Sequence, residues 1–313
     1  MKIAILDDYQ DCVKTLKCFN KLHGLEVSVF NDTLKNVSEL ALRLKDFEAL
    51  VLIRQRTNIT KELLTHLPNL KLISQTGKVG SHIDLQACQD FGVSVFDGEG
   101  SGEATAELNM LLILAALRNL PHEVNGLREG KWQSTLGRKL NGRVLGVYGY
   151  GKIGQQICRL GNAFGAKILV WGRKSTLDRA ALDGYRVAES REAFFKECDI
   201  LSVQLRLTPQ TRHDIKLEDL SLMKTDALFV NASRAELVEN GALLKGLSNG
   251  RPGFAAVDVY EDEPVLNAND PLIKLPNCLC SPHLGFVERD NYESYFEMAF
   301  DNILKFISEF KQK

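Results

Sequence analysis

The chain has 313 residues, 44% hydrophobic and 25% charged, the balance of a globular protein of about two domains rather than a disordered or fibrous one. Lys plus Arg number 39 against 40 Asp plus Glu, a net charge of −1, so no basic excess exists to hold a polyphosphate backbone and nucleic acid is excluded as the main partner. The longest apolar stretch, Met110 to Leu117, is far short of the ~20 residues that cross a bilayer, and Asp7 and Asp8 cut the N-terminal apolar run before it reaches signal-peptide length.

Apolar strand-like runs alternate with helix-length segments along the whole chain. The first series is Lys2–Leu6, Leu25–Phe30, Ala49–Ile53, Leu70–Ser74 and Val93–Phe96. The second is Arg143–Tyr148, Lys167–Trp171, Asp199–Gln204, Ala227–Asn231, Phe254–Val259 and Cys278–Ser281. Near-continuous apolar strands separated by crossover lengths predict α/β architecture, with two doubly wound parallel sheets covered on both faces. A boundary falls in the turn-rich segment Asp97–Gly102. Glu103–Leu120 follows as a long apolar helix, then an exposed connection carrying Pro121, Gly126–Gly137 and Trp132. The final helix, about Val287–Phe310, returns to the first domain in this reading, leaving that domain discontinuous. Seven Cys, with no Cys-x-x-Cys, predict reduced thiols and a cytoplasmic protein; Cys278 and Cys280 share one strand face as ordinary buried thiols. No metal is expected.

Gly149-Tyr150-Gly151-Lys152-Ile153-Gly154 is a G-x-G-x-x-G run. Alone it is a weak signal, but here a strand precedes it and a helix follows, with Ile153, Ile157, Leu160 and Phe164 spaced for one apolar face. The strand Ile168–Trp171 completes a βαβ unit, in which the glycines permit a tight turn and bring a pyrophosphate to the helix N-terminus. An NAD reader places an acid about 20 residues further on, against the ribose 2′-hydroxyl. From Gly149 through Leu177 the chain has no Asp or Glu; Gly172, Arg173, Lys174 and Ser175 stand there instead. Two cations without a repelling carboxylate predict NADP in preference to NAD, NAD remaining possible, by roughly 10- to 100-fold if each charged hydrogen bond contributes ~1.5–3 kcal/mol.

Three polar residues follow strand-like runs of the second half: Arg234, Glu263 and His283. In an open parallel sheet the carboxyl ends of the strands line one crevice, where all three can converge. Oxidising a secondary alcohol takes a proton from oxygen and a hydride from carbon. His283 suits the proton, Glu263 would orient its ring and stabilise imidazolium, and Arg234 offers a planar fork to a carboxylate.

The chain resembles the D-isomer-specific 2-hydroxyacid dehydrogenase family, which includes phosphoglycerate dehydrogenase and the glyoxylate/hydroxypyruvate reductases. The matching stretches are Gly149–Gly154, Leu207–Arg212, Met223–Arg234, Ala256–Pro264 and Ser281–Gly285, in family order. The resemblance implies a Rossmann cofactor domain (residues 101–286) inserted in a flavodoxin-like substrate domain (residues 1–100 plus 287–313). It places Arg234, Glu263 and His283 at the family's catalytic Arg, Glu and His. It also places Asp258 near the nicotinamide, and Ala232 and Ser233 in the turn that lines the cofactor. Substrate contacts are implied at Arg54 and in the loop Gly77-Lys78-Val79, whose amides would cradle a carboxylate; Val79 and Ser81 depart from the usual Gly and Asp there, and Lys78 adds a cation.

The function implied is hydride transfer between a nicotinamide cofactor and a small D-2-hydroxy or 2-keto acid, by a homodimer built around Glu103–Gly137. Phosphoglycerate dehydrogenase is one alternative. A dinucleotide-sensing interaction protein is another, of a different class. A formate dehydrogenase would carry Gln where Glu263 stands; phosphite remains open.

Overall fold

In the computed structural model, which describes residues 1–310, the chain divides into two compact units: residues 1–101 with the segment from Glu288 onward, and Gly102–Val287. In the first, consecutive apolar residues form β1 (Lys2–Ile5), β2 (Glu26–Val29), β3 (Ala49–Ile53), β4 (Leu72–Thr76) and β5 (Ser94–Phe96). All pair in parallel, in the order β2-β1-β3-β4-β5, the flavodoxin-like winding. Every residue of β3 and β4 is buried, as expected of strands covered on both faces. Asn36 and Asp84 cap the helices Val37–Leu44 and Leu85–Asp90 by accepting from backbone amides three residues on.

The second unit carries β6 (Val144–Tyr148), β7 (Lys167–Trp171), β8 (Arg186–Val187), β9 (Ile200–Val203), β10 (Leu228–Asn231), β11 (Phe254–Val257) and β12 (Cys278–Cys280). Their order, β12-β11-β10-β9-β6-β7-β8, is a doubly wound Rossmann sheet extended by one strand, and the winding reverses between β6 and β9. β8, two residues long, is too short to stand out as an apolar run in the sequence. Phe194, Phe195 and Phe229 are fully buried on one face, each contributing about 1.5–3 kcal/mol by leaving water.

Two helix expectations need correction. The helix starting at Glu103 ends at Leu117 rather than Leu120, and a second runs from Leu120 to Arg128. Pro121 has no N–H to offer the Leu117 carbonyl; the amide of Arg138 takes that place at 2.7 Å, and Asn119 turns the chain at φ +49°. Phe164 lies past the end of the helix Lys152–Ala163 and is 48% exposed, while Gly154, Ile157, Cys158 and Gly161 form the buried stripe. A Cβ on Gly161 would stand 2.5 Å from Leu145, so glycine lets this helix lie close on β6. Among the described residues no helix is long and apolar enough to cross a membrane.

Candidate active site

The glycine fingerprint sits at the carboxyl end of β6, at the point where the sheet winding reverses. Each glycine has its own reason. Gly149 adopts φ +103°, and a Cβ there would stand 2.5 Å from the Gln204 carbonyl oxygen. A Cβ on Gly154 would stand 2.1 Å from the carbonyl oxygen of Gly149, so the helix can pack this close only without a side chain. Gly151, the N-cap of the helix, faces open space, with no other residue within 4 Å of where a Cβ would stand. A dinucleotide pyrophosphate fits there, against the backbone amides at the N-terminus of a 12-residue helix. Lys152 is exposed and Ile153 half-buried. The Tyr150 side chain turns away into the core and its hydroxyl donates to Asp183 at 2.6 Å, leaving only its backbone on the loop.

At the end of the neighbouring β7, Gly172 comes within 3.9 Å of Gly149, measured from where a Cβ would be. Arg173 caps the next helix and Lys174 and Ser175 begin it; all three are exposed. Among the described residues no carboxylate pairs with Arg173 or Lys174 within 4.0 Å. On the other side of the winding reversal, Ala232 and Ser233 follow β10; Ser233 Oγ donates to the Val203 carbonyl at 2.8 Å and its amide to Asn231 Oδ1 at 3.0 Å.

Strand register brings the three candidate catalytic residues to the same sheet edge. Asn231 of β10 pairs with Val257 of β11, which pairs with Cys280 of β12. Arg234, Glu263 and His283 all lie shortly beyond these strand ends. His283 Nδ1 lies 2.5 Å from Glu263 Oε2, and the other Glu263 oxygen accepts the Tyr260 amide at 2.9 Å. Both side chains are half-buried, and Phe286 packs edge-on against the imidazole with centroids 5.2 Å apart. With Nδ1 held by Glu263, Nε2 is the nitrogen left to meet a substrate. The Arg234 guanidinium is anchored on the Ser233 carbonyl at 2.5 Å.

Asp258 is fully buried and does more for the His283 loop than its sequence position indicates. It accepts Ser281 Oγ at 2.6 Å and the amides of Leu284 and Gly285, both at 2.8 Å, so its carboxyl brackets His283 from either side in the chain. Burial pushes its pKa up, against these hydrogen bonds, which hold it down. His283 itself sits at φ +51°, a left-handed conformation that the bracketing hydrogen bonds hold. Sequence reasoning missed Ser281, for which the only signal is its place two residues before His283.

In the first unit, the winding reverses between β1 and β3, and Arg54 stands at the carboxyl end of β3 at φ +54°. Its amide donates to Thr76 Oγ1 at 2.9 Å and its guanidinium lies 5.4 Å over the Tyr295 ring. A Cβ on Gly77 would fall on the Arg54 guanidinium, so glycine at 77 is what lets this arginine lie across the loop. Lys78 pairs with Glu99 at 3.0 Å and Asp97 at 3.6 Å, and Asp97 also accepts the Val79 amide at 3.3 Å. The cation and one amide of this loop therefore already have partners within the unit. Arg56, the second cation after β3, stacks 4.3 Å over Tyr9 and holds the Asp7 carbonyl.

A Rossmann sheet with a glycine-built phosphate cradle, and a His–Glu pair on the same sheet edge, defines a nucleotide-dependent oxidoreductase. The description "D-isomer specific 2-hydroxyacid dehydrogenase, NAD binding domain" matches residues 110–285. The chain belongs to the D-isomer specific 2-hydroxyacid dehydrogenase family. It is 36% identical to a glyoxylate reductase of Aeropyrum pernix over 78% of this chain and 76% of that protein. It is 34% identical to a D-3-phosphoglycerate dehydrogenase of Methanocaldococcus jannaschii over 91% of this chain but only 53% of that protein, so it spans about half the length of this relative. A crystal structure from Vibrio cholerae, described as a phosphoglycerate oxidoreductase, superposes with a TM-score of 0.97 at 54% identity, covering 99% of both chains.

Proposed function

We propose that the chain reduces a small 2-keto acid to the D-2-hydroxy acid, or catalyses the reverse reaction, with a nicotinamide dinucleotide. The observation that carries this reading is the 2.5 Å contact between His283 Nδ1 and Glu263 Oε2 on the sheet edge that bears the glycine cradle. The cofactor, when bound, supplies or accepts the hydride. Gly149, Gly151 and Gly154 would hold its pyrophosphate, and Ala232, Ser233 and Asp258 its nicotinamide end. His283 Nε2 gives a proton to the carbonyl oxygen during reduction and takes it back during oxidation. Glu263 keeps the ring oriented and stabilises imidazolium between the two, and Arg234 pairs with the substrate carboxylate. In the first unit, Arg54 and the loop Gly77-Lys78-Val79 are assigned to the substrate acid.

The exposed Arg173 and Lys174, with Gly172 in place of a carboxylate, favour NADP over NAD. Exposed apolar residues between 111 and 136 (Leu111, Leu120, Val124, Leu127, Trp132 at 76% and Leu136 at 96%) support a homodimer buried on that segment. Seven free thiols fit a reducing, cytoplasmic setting. The deciding experiment follows NADPH oxidation with glyoxylate, hydroxypyruvate, pyruvate, phenylpyruvate and 3-phosphohydroxypyruvate. Turnover of at least one acid is expected; a flat response to all five, with cofactor still bound, overturns the reading.

A further inference from the structure

Cys278 and Cys280 take no part in the chemistry above, yet their geometry is unusual. They alternate along β12, which is the edge strand and pairs only with β11. Their side chains share one face, half-buried against the core, and their Sγ atoms lie 3.7 Å apart, within reach of an S–H···S hydrogen bond. The pair gives up its first proton more readily than an isolated thiol, because the partner thiol donates to the thiolate, and its second less readily. Four other cysteines, Cys18, Cys88, Cys158 and Cys198, are buried with their pKa raised chiefly by burial. A thiolate close to a second thiol is the arrangement peroxide attacks selectively.

We propose that Cys278 and Cys280 are an oxidisable dithiol, and that hydrogen peroxide converts them to a disulfide that reversibly disables the His283 loop. One thiolate attacks a peroxide oxygen, the O–O bond breaks, and the leaving hydroxide takes up the proton the thiol had lost, giving a sulfenic acid and water. The second thiol then displaces hydroxide from that sulfenic sulfur, so the S–S bond forms and a second water leaves. Two electrons pass from the two sulfurs to the peroxide. The sulfurs must close from 3.7 Å to roughly 2.05 Å, while Cα atoms two apart on a strand stand about 6.7 Å apart, the upper end of what a disulfide spans. β12 therefore has to pucker. As an edge strand it loses only one ladder. The next residue, Ser281, bonds to both Val257 and Asp258, and His283 follows two positions later. A shift of ~1 Å at a catalytic group costs on the order of 100-fold in rate.

The switch rests on the dehydrogenase reading, whereas the disulfide itself does not, and the experiment separates them. Reduced, desalted full-length protein is treated with hydrogen peroxide, then assayed and mapped by peptide mass. Expected are a peptide carrying both cysteines that is lighter by two hydrogens, turnover lower by on the order of 100-fold, and recovery of both on adding dithiothreitol. Cys280→Ser and Cys278→Ala are expected to keep the parent turnover and to hold it under peroxide. Reduced protein that is active but yields no disulfide peptide overturns the dithiol; a disulfide form as active as the reduced one, or variants inactivated like the parent, overturns the switch. Reduced protein inactive on every keto acid overturns the dehydrogenase reading, while the mass shift still scores the disulfide.

Discussion

His283 Nδ1 and Glu263 Oε2 lie 2.5 Å apart although the two residues come from the ends of different strands. The carboxylate holds one ring nitrogen and thereby aims the other. His283→Ala is expected to lower kcat by ~10²–10⁴. Glu263→Gln keeps an acceptor for Nδ1–H but loses the charge that stabilises imidazolium, so kcat falls while KM changes little. Steady-state kinetics of both variants check this; an unimpaired His283→Ala would end the assignment.

The proposed preference for NADP is tested at the end of β7. Replacing Arg173 and Lys174 together by Ala is expected to cut kcat/KM for NADPH by roughly 10- to 100-fold and leave NADH nearly unchanged. Gly172→Asp reverses the preference by adding the acid that meets a ribose 2′-hydroxyl; its Cβ would stand 3.2 Å from Thr176, a contact a small side-chain movement relieves. Equal kcat/KM for both cofactors in the parent protein would contradict the preference.

Two glycines of the fingerprint separate folding from binding. Gly154→Ala drives a methyl against the Gly149 carbonyl and is expected to destabilise the protein by about 1–3 kcal/mol. Gly151→Ala meets no other residue within 4 Å, so melting of the apoprotein stays at the parent value while cofactor affinity falls. Thermal melts without cofactor, and a fluorescence titration with it, distinguish the two.

The second unit is expected to weaken in acid. Burial raises the carboxyls of Asp199 and Asp219, but Lys224 and the Val144 amide on the first, and Arg191 and the Lys216 amide on the second, outweigh it, and both stand below the ordinary 3.8. In the pH range between the depressed folded values and the ordinary value, the unfolded chain binds more protons than the folded one. Their contribution is thus complete above the ordinary value and drains away as pH falls through the depressed ones. Asp219→Asn should flatten the loss of melting temperature below about pH 4 while lowering stability at pH 7, where half-buried Arg191 keeps Asp214, at 3.1 Å, as a carboxylate partner but loses the charge of Asp219.

Oligomeric state tests the apolar segment. Sedimentation at micromolar concentration is expected to show a dimer, and Leu127→Asp with Trp132→Ala to shift it toward monomer. A monomeric parent would remove that proposal.

The amino-acid sequence by itself determined what short-range patterns encode. Apolar runs specified eleven of the strands to within a residue or two in most cases, because a doubly covered parallel strand is apolar throughout, and the strand–glycine–helix–strand order around Gly149 exposed the nucleotide fold. β8 stayed hidden because two residues make no pattern, and the break at Asn119 because Pro121 can begin a helix as readily as end one. The tertiary structure alone decided which polar groups meet. Strand register, not spacing in the chain, sets Glu263 on His283 and Asp258 on Ser281, Leu284 and Gly285; only folding lays Arg54 across Gly77, commits Lys78 to Asp97 and Glu99, and puts the Cys278 and Cys280 sulfurs 3.7 Å apart. The charge balance argued against nucleic acid as the main partner but could not show this, because a net charge of −1 carries no information about where each cation finds its anion.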